Sequence, residues 1–315
     1  MNALMQAVWV LVFPGFLFLF VYALFCEWLD RKLYARLQNR VGPPWFQPFA
    51  DFVKLLAKED VVPKGASRGF FLALPPLAVA AVASAFLYVP VYAERAPYWF
   101  QGDIIVVAYL LSLPTLIFFL AGWYSNNPFS SIGATRAVTQ LLAYEVPLLL
   151  VILGPALISG EWSVSGASAY MRSHPALIPV QLLGLAVAVV ALQGKLERVP
   201  FDIPEAETEI VAGTFTEFGG RRLALFRLAT DMEMVVGAAL LGSLFLGGYG
   251  PVGPVPGFVF FLLKTLFIVF LLCCLRAVSA RIRIDQMVGF CFRWLIPAAV
   301  AQVLILVALK GWWLP

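Results

Sequence analysis

Apolar residues run along this chain in eight long windows, at about residues 4–26, 69–92, 103–122, 137–159, 176–196, 226–248, 257–275 and 287–309. Each window is closed by charged, proline-rich or glycine-rich sequence. A helix needs roughly 20 apolar residues to cross the hydrocarbon layer of a bilayer. The pattern therefore predicts an all-α integral membrane protein with eight transmembrane helices, a single transmembrane domain over 1–315. The first window has no leading basic residues and no small-residue cleavage site, so it reads as a retained helix.

Between the first two windows lies a connection, 27–68, too long for a simple turn. In 45–60, WFQPFADFVKLLAKED, the apolar residues Trp45, Phe46, Phe49, Phe52, Val53 and Leu56 recur at helical spacing. Asp51, Lys54, Lys58 and Glu59 fall largely on the other face. This pattern predicts an amphipathic helix along the membrane surface. Before it, DRKLYARLQNRVGPP (30–44) combines bases with a glycine and two prolines and is expected to stop the first span and redirect the chain. The basic stretch reads either as a solvated anchor or as a docking surface for a cytoplasmic partner or the mouth of a ligand cavity.

Composition agrees with the pattern: the 315 residues are 62% hydrophobic and only 13% charged, with a mean hydropathy of +0.89. So many apolar windows exceed what a soluble fold of this length can bury. The bases are unevenly divided. Connections after the first, third, fifth and seventh spans carry 17 Lys or Arg residues, and the opposite side carries three: Arg95, Arg172 and Lys310. By the positive-inside rule the rich side is cytoplasmic, and both termini face outward across the cell membrane. The net charge of +4 is then a topology signal, and no nucleic-acid partner is expected. Lys264 and Arg293 fall inside spans and must snorkel or face protein.

Against this background the acids stand out. Residues 195–222 hold Glu197, Asp202, Glu205, Glu207, Glu209 and Glu217, a third of all carboxylates in the chain. Asp202, Pro204 and Glu205 form a helix-start pattern, predicting a helix from about Ile203 to Ala212 ended by Gly213. Glu205 and Glu209 would share one face of it at i,i+4 and Glu207 would point elsewhere. Mutual repulsion should raise at least one carboxyl pKa, which suits proton uptake and release. Compensation of the helix dipole and pairing with Lys195, Arg198, Arg221 and Arg222 is the plainer reading.

Within the fourth span, Glu145 lies nine residues beyond Arg136, near mid-membrane, and two before Pro147. Ionised and facing lipid, it would cost at least a few kcal/mol, so it must face an internal polar path or stay protonated. Asp231 and Glu233 enter the sixth span, and Glu197 closes the fifth. Together these acids suggest a path from the cytoplasmic loop, about 195–225, into the bilayer.

Cofactor chemistry is not written in the chain. Cys26, Cys273, Cys274 and Cys291 lack C-x-x-C spacing, and His174 is the single histidine. There is no glycine-rich dinucleotide fingerprint and no P-loop. The chain is expected to bind no metal or redox cofactor alone and to perform no bond chemistry.

The stretches DRKLYARLQNRVGPP, QPFADFVKLLAKE, SNNPFSSIGATRAVTQLLAYEVP, ERVPFDIPEAETEIVAGTFTEFGG and RIRIDQ occur in this order over nearly the whole chain. They resemble the subunit 1 family of respiratory complex I, which includes the H subunits of NADH-quinone oxidoreductases, and its relatives in membrane-bound nickel–iron hydrogenases. The resemblance implies a heel subunit of a membrane arm, beneath hydrophilic iron–sulfur and hydrogenase-like subunits and beside antiporter-like subunits. Iron–sulfur and nickel–iron centres would sit in those partners, with a quinone at the interface in the quinone-reducing members.

Carried over, the resemblance makes Arg31 the arginine of the cavity mouth and puts Asp30 where complex I members commonly have Glu. Arg36 and Arg40 become residues of cavity or arm docking, and Arg281, Arg283 and Asp285 a motif closing the cytoplasmic side. Glu145 matches the acid of the central polar axis. Glu197, Asp202, Glu205, Glu207, Glu209 and Glu217 match the acids after the fifth span, with Asp231 and Glu233 continuing the path. The first loop is shorter than in complex I members, as Pro43-Pro44-Trp45-Phe46 leads straight into Gln47-Pro48, which resembles the energy-converting hydrogenase branch. Two activities follow from the resemblance: a proton- or sodium-pumping quinone oxidoreductase, or a hydrogenase-type complex without quinone. A free-standing transporter is disfavoured because no inverted repeat or paired broken helices are visible.

Overall fold

The computed structural model describes residues 3–249 and 253–313. Among them eight helices are long and apolar enough to cross a membrane: Gln6–Leu37, Arg68–Phe86, Asp103–Tyr124, Pro128–Ser159, Pro175–Lys195, Gly220–Phe245, Pro254–Val278 and Ile284–Gly311. These match the eight apolar windows, and no strand occurs among the described residues.

The first span differs from its expected form. It begins as α1 (Ala3–Leu11), breaks near Pro14, and resumes as α2 (Phe16–Leu37), which runs a further 11 residues past the expected end at 26. Glu, Arg, Lys and Leu are good helix formers, and the charges of Glu27, Asp30 and Arg31 find partners in the bundle, so nothing stops the helix there. The redirection comes later, at Asn39 and Gly42, whose φ of 58° and 46° are left-handed, and at Pro43-Pro44.

The amphipathic helix is α3 (Gln47–Ala57), with Trp45 and Phe46 in the turn before it. Phe52 meets Phe20 of α2 edge to face, while Phe49 and Val53 remain exposed, as suits a helix resting in the membrane interface.

After α3 come α4 (Arg68–Phe86), α5 (Asp103–Tyr124), α6 (Pro128–Ser159), the short α7 (Val164–Ser173) and α8 (Ile178–Lys195). The acidic connection holds only a four-residue turn, α9 (Glu207–Ile210), before α10 (Gly220–Phe245) and α11 (Pro254–Val278). The final span is α12 (Ile284–Phe290), a π-helical stretch Cys291–Leu295, and α13 (Ile296–Trp313). Prolines 75, 76, 114, 147 and 155 lie inside continuous helices, as neighbouring helices allow in membrane bundles.

α10 is the axis of the bundle, packed against α2, α4, α8 and α11. The apolar window of its span is 89% buried, against 22% for the last span. An all-round buried helix that carries Asp231 and Glu233 must supply them with partners, and this shapes the site. Of the two bases inside spans, Lys264 donates to the carbonyls of Leu246 (2.7 Å) and Gly248 (2.5 Å). Arg293 instead sits on the exposed surface between Phe292 and Trp294.

Candidate functional site: two buried charge hubs beneath an acidic loop

The helix expected from Ile203 to Ala212 does not form. Its first carbonyls are taken by side chains from elsewhere, Arg281 donating to Asp202 O (2.9 Å) and Arg136 to Ile203 O (3.5 Å), and just before them Gln140 donates to Phe201 O (2.8 Å). Phe201, Ile203 and Ile210 are buried, so the segment is held open as a loop pinned by apolar anchors. Asp202 pairs with Arg281 at 3.0 Å and caps no helix. Glu205 and Glu209 consequently share no helical face. Gly213 has φ +53°, and a Cβ there would stand 1.7 Å from Pro204 O, so only glycine fits.

Two bases that the charge count assigned to a cytoplasmic connection are buried hubs. Arg198 is 12% exposed in its side chain and reaches three carboxylates: Glu27 at 2.6 Å, Asp30 at 3.0 Å and Asp231 at 3.8 Å. Glu27 also holds Arg31 (2.6 Å), which bridges to Asp51 of α3 (3.0 Å), and Asp30 holds Arg276 (2.8 Å). This first hub ties α2, α3, α10 and α11 to the end of α8. Burial opposes the charge on Arg198, but Asp30, Glu27 and Asp231 outweigh it and keep the guanidinium firmly protonated. Burial also opposes ionisation of Asp51, but the bonds from Arg31 and Gln47 hold its carboxyl below the usual range.

Lys195 is the second hub, with a side chain only 1% exposed. Its Nζ lies 3.6 Å from Glu145 of α6 and 3.7 Å from Glu233 of α10, and 5.4 Å from the Tyr144 ring centre. Ser112 of α5 donates to the far oxygen of Glu145. Asp231 and Glu233 therefore serve different hubs, because two residues along a helix amount to about 200° of rotation.

Between the hubs the chain turns at Glu197, which takes φ +50°, a conformation that disfavours non-glycine residues. Glu197 is buried, and desolvation, followed by the charges of Glu205 and Glu233, pushes its carboxyl well above the usual range. A cavity of about 390 Å³ opens beside it, lined by Glu197, Arg198, Asp202, Glu205, Arg276 and Arg281 among others. A smaller one of about 260 Å³ adjoins, walled by Arg136, Glu209, Arg281, Arg283 and Asp285. Across it Arg136 binds Glu209 at 2.6 Å, and this hydrogen bond depresses the Glu209 pKa.

The structure thus joins Glu145 with Glu233, Asp30 and Arg31 with Asp231, and Glu197 with Glu205 and Asp202. Glu217 stands apart, accepting from Asn127, and Arg36 and Arg40 are exposed on the last turn of α2 and the turn after it. Glu207 opens α9; its side chain lies outside the described residues. Sequence reasoning missed Glu27 and Arg276, and it offered Lys195 and Arg198 as partners of the loop acids, whereas they pair with Glu145 and Glu233 and with Glu27, Asp30 and Asp231. Glu27 had a signal, the i,i+3 and i,i+4 spacing to Asp30 and Arg31; Arg276 looked like an ordinary positive-inside base. Among the described residues no group of His, Cys, Asp or Glu could hold a metal.

This architecture defines a multi-pass, all-α membrane protein built around ion pairs inside its helix bundle. The family model for NADH dehydrogenase matches residues 9–307, and the chain belongs to that family. It is 36% identical over 297 residues to the H subunit of NADH-quinone oxidoreductase from Carboxydothermus hydrogenoformans, covering 91% of this chain and 85% of that protein. The corresponding H subunit of Brevibacillus brevis is likewise 36% identical, covering 88% and 85%. A solved chain from the membrane-bound sulfane sulfur reductase, an archaeal respiratory membrane complex, superposes with a TM-score of 0.84 at 25% identity, covering 97% of this chain and 100% of the other. The chain is accordingly a membrane subunit of the complex I and membrane-bound hydrogenase superfamily, whose members work within multi-subunit respiratory complexes.

Proposed function

We propose that this chain is the heel of such a complex, carrying the hydrophilic redox arm on its base-rich, cytoplasmic side and coupling electron transfer to proton or sodium movement through its buried acids. Iron–sulfur and hydrogenase-like subunits are the partners on that side, antiporter-like subunits the partners in the membrane, and both termini face outward. The observation that carries the reading is the line from the acid-lined cavity, past Glu197, to the Lys195 hub and Glu145 within the span of α6. A Glu197 carboxyl pushed well above its usual range by burial suits a group that accepts and returns a proton. Arg31, Arg36, Arg40, Arg281, Arg283 and Asp285 form the docking side.

The lining of the cavity beside Glu197 bears on the electron acceptor. Its wall is set by carboxylates and guanidiniums, whereas sites for largely apolar ligands are mostly apolar with few polar groups. That lining favours water and protons over an isoprenoid quinone and supports the hydrogenase-type branch, with quinone reduction as the second reading because the relatives are named as parts of an NADH-quinone oxidoreductase. Purified complex assayed for quinone reduction, hydrogen evolution and sulfane sulfur reduction separates them; quinone reduction alone sinks the first reading. For coupling, Glu145→Gln should leave assembly and electron transfer intact and abolish ion uptake into proteoliposomes. Unchanged uptake makes Glu145 structural.

A further inference from the structure

Lys195 presents an arrangement that a simple ion pair does not explain. Its ammonium sits almost equally far from two carboxylates, 3.6 Å from Glu145 and 3.7 Å from Glu233. Charge-assisted hydrogen bonds are about 2.7–2.9 Å long, so neither contact is closed. Lys195 Nζ, Glu145 Oε2 and both oxygens of Glu233 are buried without a hydrogen-bond partner. Buried polar groups are nearly always satisfied, and exceptions call for an account. A lysine ammonium on a four-carbon stem has the freedom to move, unlike a planar guanidinium. The wall behind it is the Tyr144 ring, which attracts a cation without fixing its direction.

We infer that Lys195 is a two-position switch that closes on Glu145 or on Glu233 in turn, deciding which of the two carboxyls holds a proton. The proposal rests on the coupling role of Glu145 given above and adds the moving part. A shift of the ammonium by about 0.8 Å completes either bond. One base and two acids in a dry site are neutral when one acid is ionised and the other protonated, and desolvation favours that state. With Lys195 on Glu145, Glu145 is the carboxylate and Glu233 carries the proton. When the ammonium swings to Glu233, that group gives up its proton and Glu145 takes one up. Glu233 passes its proton toward Glu197 and Glu145 draws one from its Ser112 side, so the trio is neutral before and after the exchange. The two acids face different surroundings, which makes the exchange directional: Glu145 meets Ser112 on α5 and is 17% exposed, whereas Glu233 is 1% exposed and near enough to Glu197 to affect its charge.

The test is made on the intact complex in proteoliposomes, measuring ions moved per electron together with electron-transfer rate and assembly. Lys195→Gln keeps hydrogen-bonding capacity in the slot and removes the charge. Lys195→Arg keeps the charge, but its fork can contact both carboxylates at once and so locks the switch. Both variants are expected to transfer electrons and to lose ion movement per electron. A merely structural lysine predicts the opposite for Lys195→Arg, full coupling in every assembled complex, and that result overturns the switch. Should Lys195→Gln fail to assemble, Lys195→Arg alone decides. If Glu145→Gln is uncoupled while Lys195→Arg pumps normally, the switch falls and the coupling role of Glu145 stands; if both pump normally, the two fall together.

Discussion

Replacing Arg198 with Met removes one cation from a site where three carboxylates converge. Glu27 keeps Arg31 at 2.6 Å and Asp30 keeps Arg276 at 2.8 Å, whereas Asp231 loses the single ion pair found for it. Removing one partner of a buried pair costs about 3–5 kcal/mol, because a charge is left uncompensated. The two surviving pairs put Arg198→Met at the low end, about 3 kcal/mol, most of it from Glu27 and Asp30, which lose contacts of 2.6 and 3.0 Å. Little of this is screened by solvent, since the side chains of Arg198, Glu27 and Asp30 are 12%, 9% and 1% exposed. Cys26 and Cys273 supply the assay: both are fully buried, and Cys273 Sγ lies 3.7 Å from Asp30 O. Their labelling by a thiol reagent, followed site by site by mass spectrometry, reports the population of locally open states. A loss of about 3 kcal/mol corresponds to labelling roughly 10²-fold faster. Labelling within about twofold of the parent in Arg198→Met refutes the reasoning and makes the hub energetically idle.

Two other outcomes follow from the acidic loop. Gly213→Ala forces a side chain into φ +53°, at about 1–2 kcal/mol, and drives the new Cβ against Pro204 O; faster limited proteolysis within 200–215 is expected, and unchanged cleavage contradicts the tight approach. The carboxyl of Glu197 is raised in the folded chain above its ordinary value of 4.5. Below that value it is neutral folded or unfolded, and as pH rises toward the native pKa only the unfolded chain has lost the proton, so stability declines. Glu197→Gln should flatten this decline in a denaturation series above pH 4.5, and a slope equal to the parent's removes Glu197 as its source.

The acids were legible in the sequence because charge is rare in this chain, and Glu145 could be placed in the membrane by counting from Arg136. Their partners were not legible. Lys195 and Arg198, three residues apart, scored as loop bases in the charge count, and nothing local distinguishes a solvated lysine from one enclosed by α6 and α10. The capping pattern at Asp202 was a sound local signal that lost to long-range donors, Arg136 and Arg281, for the carbonyls a helix needs. Asp231 and Glu233 read as one pair along the chain, yet helical rotation sends them to different hubs.

What the sequence determined by itself is the membrane architecture: eight spans, an amphipathic helix after the first, and a strong excess of bases on one side. These are legible because a bilayer imposes a fixed apolar length and a desolvation cost on each segment independently of the others. What only the tertiary structure decided is which charge meets which, from the extension of α2 that brings Glu27 and Asp30 to Arg198 to the balance of Lys195 between two helices. Coulombic and hydrogen-bond energies act over a few ångströms, and the partners lie as far apart in the chain as Asp30 and Arg276, separated by 246 positions, so their pairing exists only once the helices have packed.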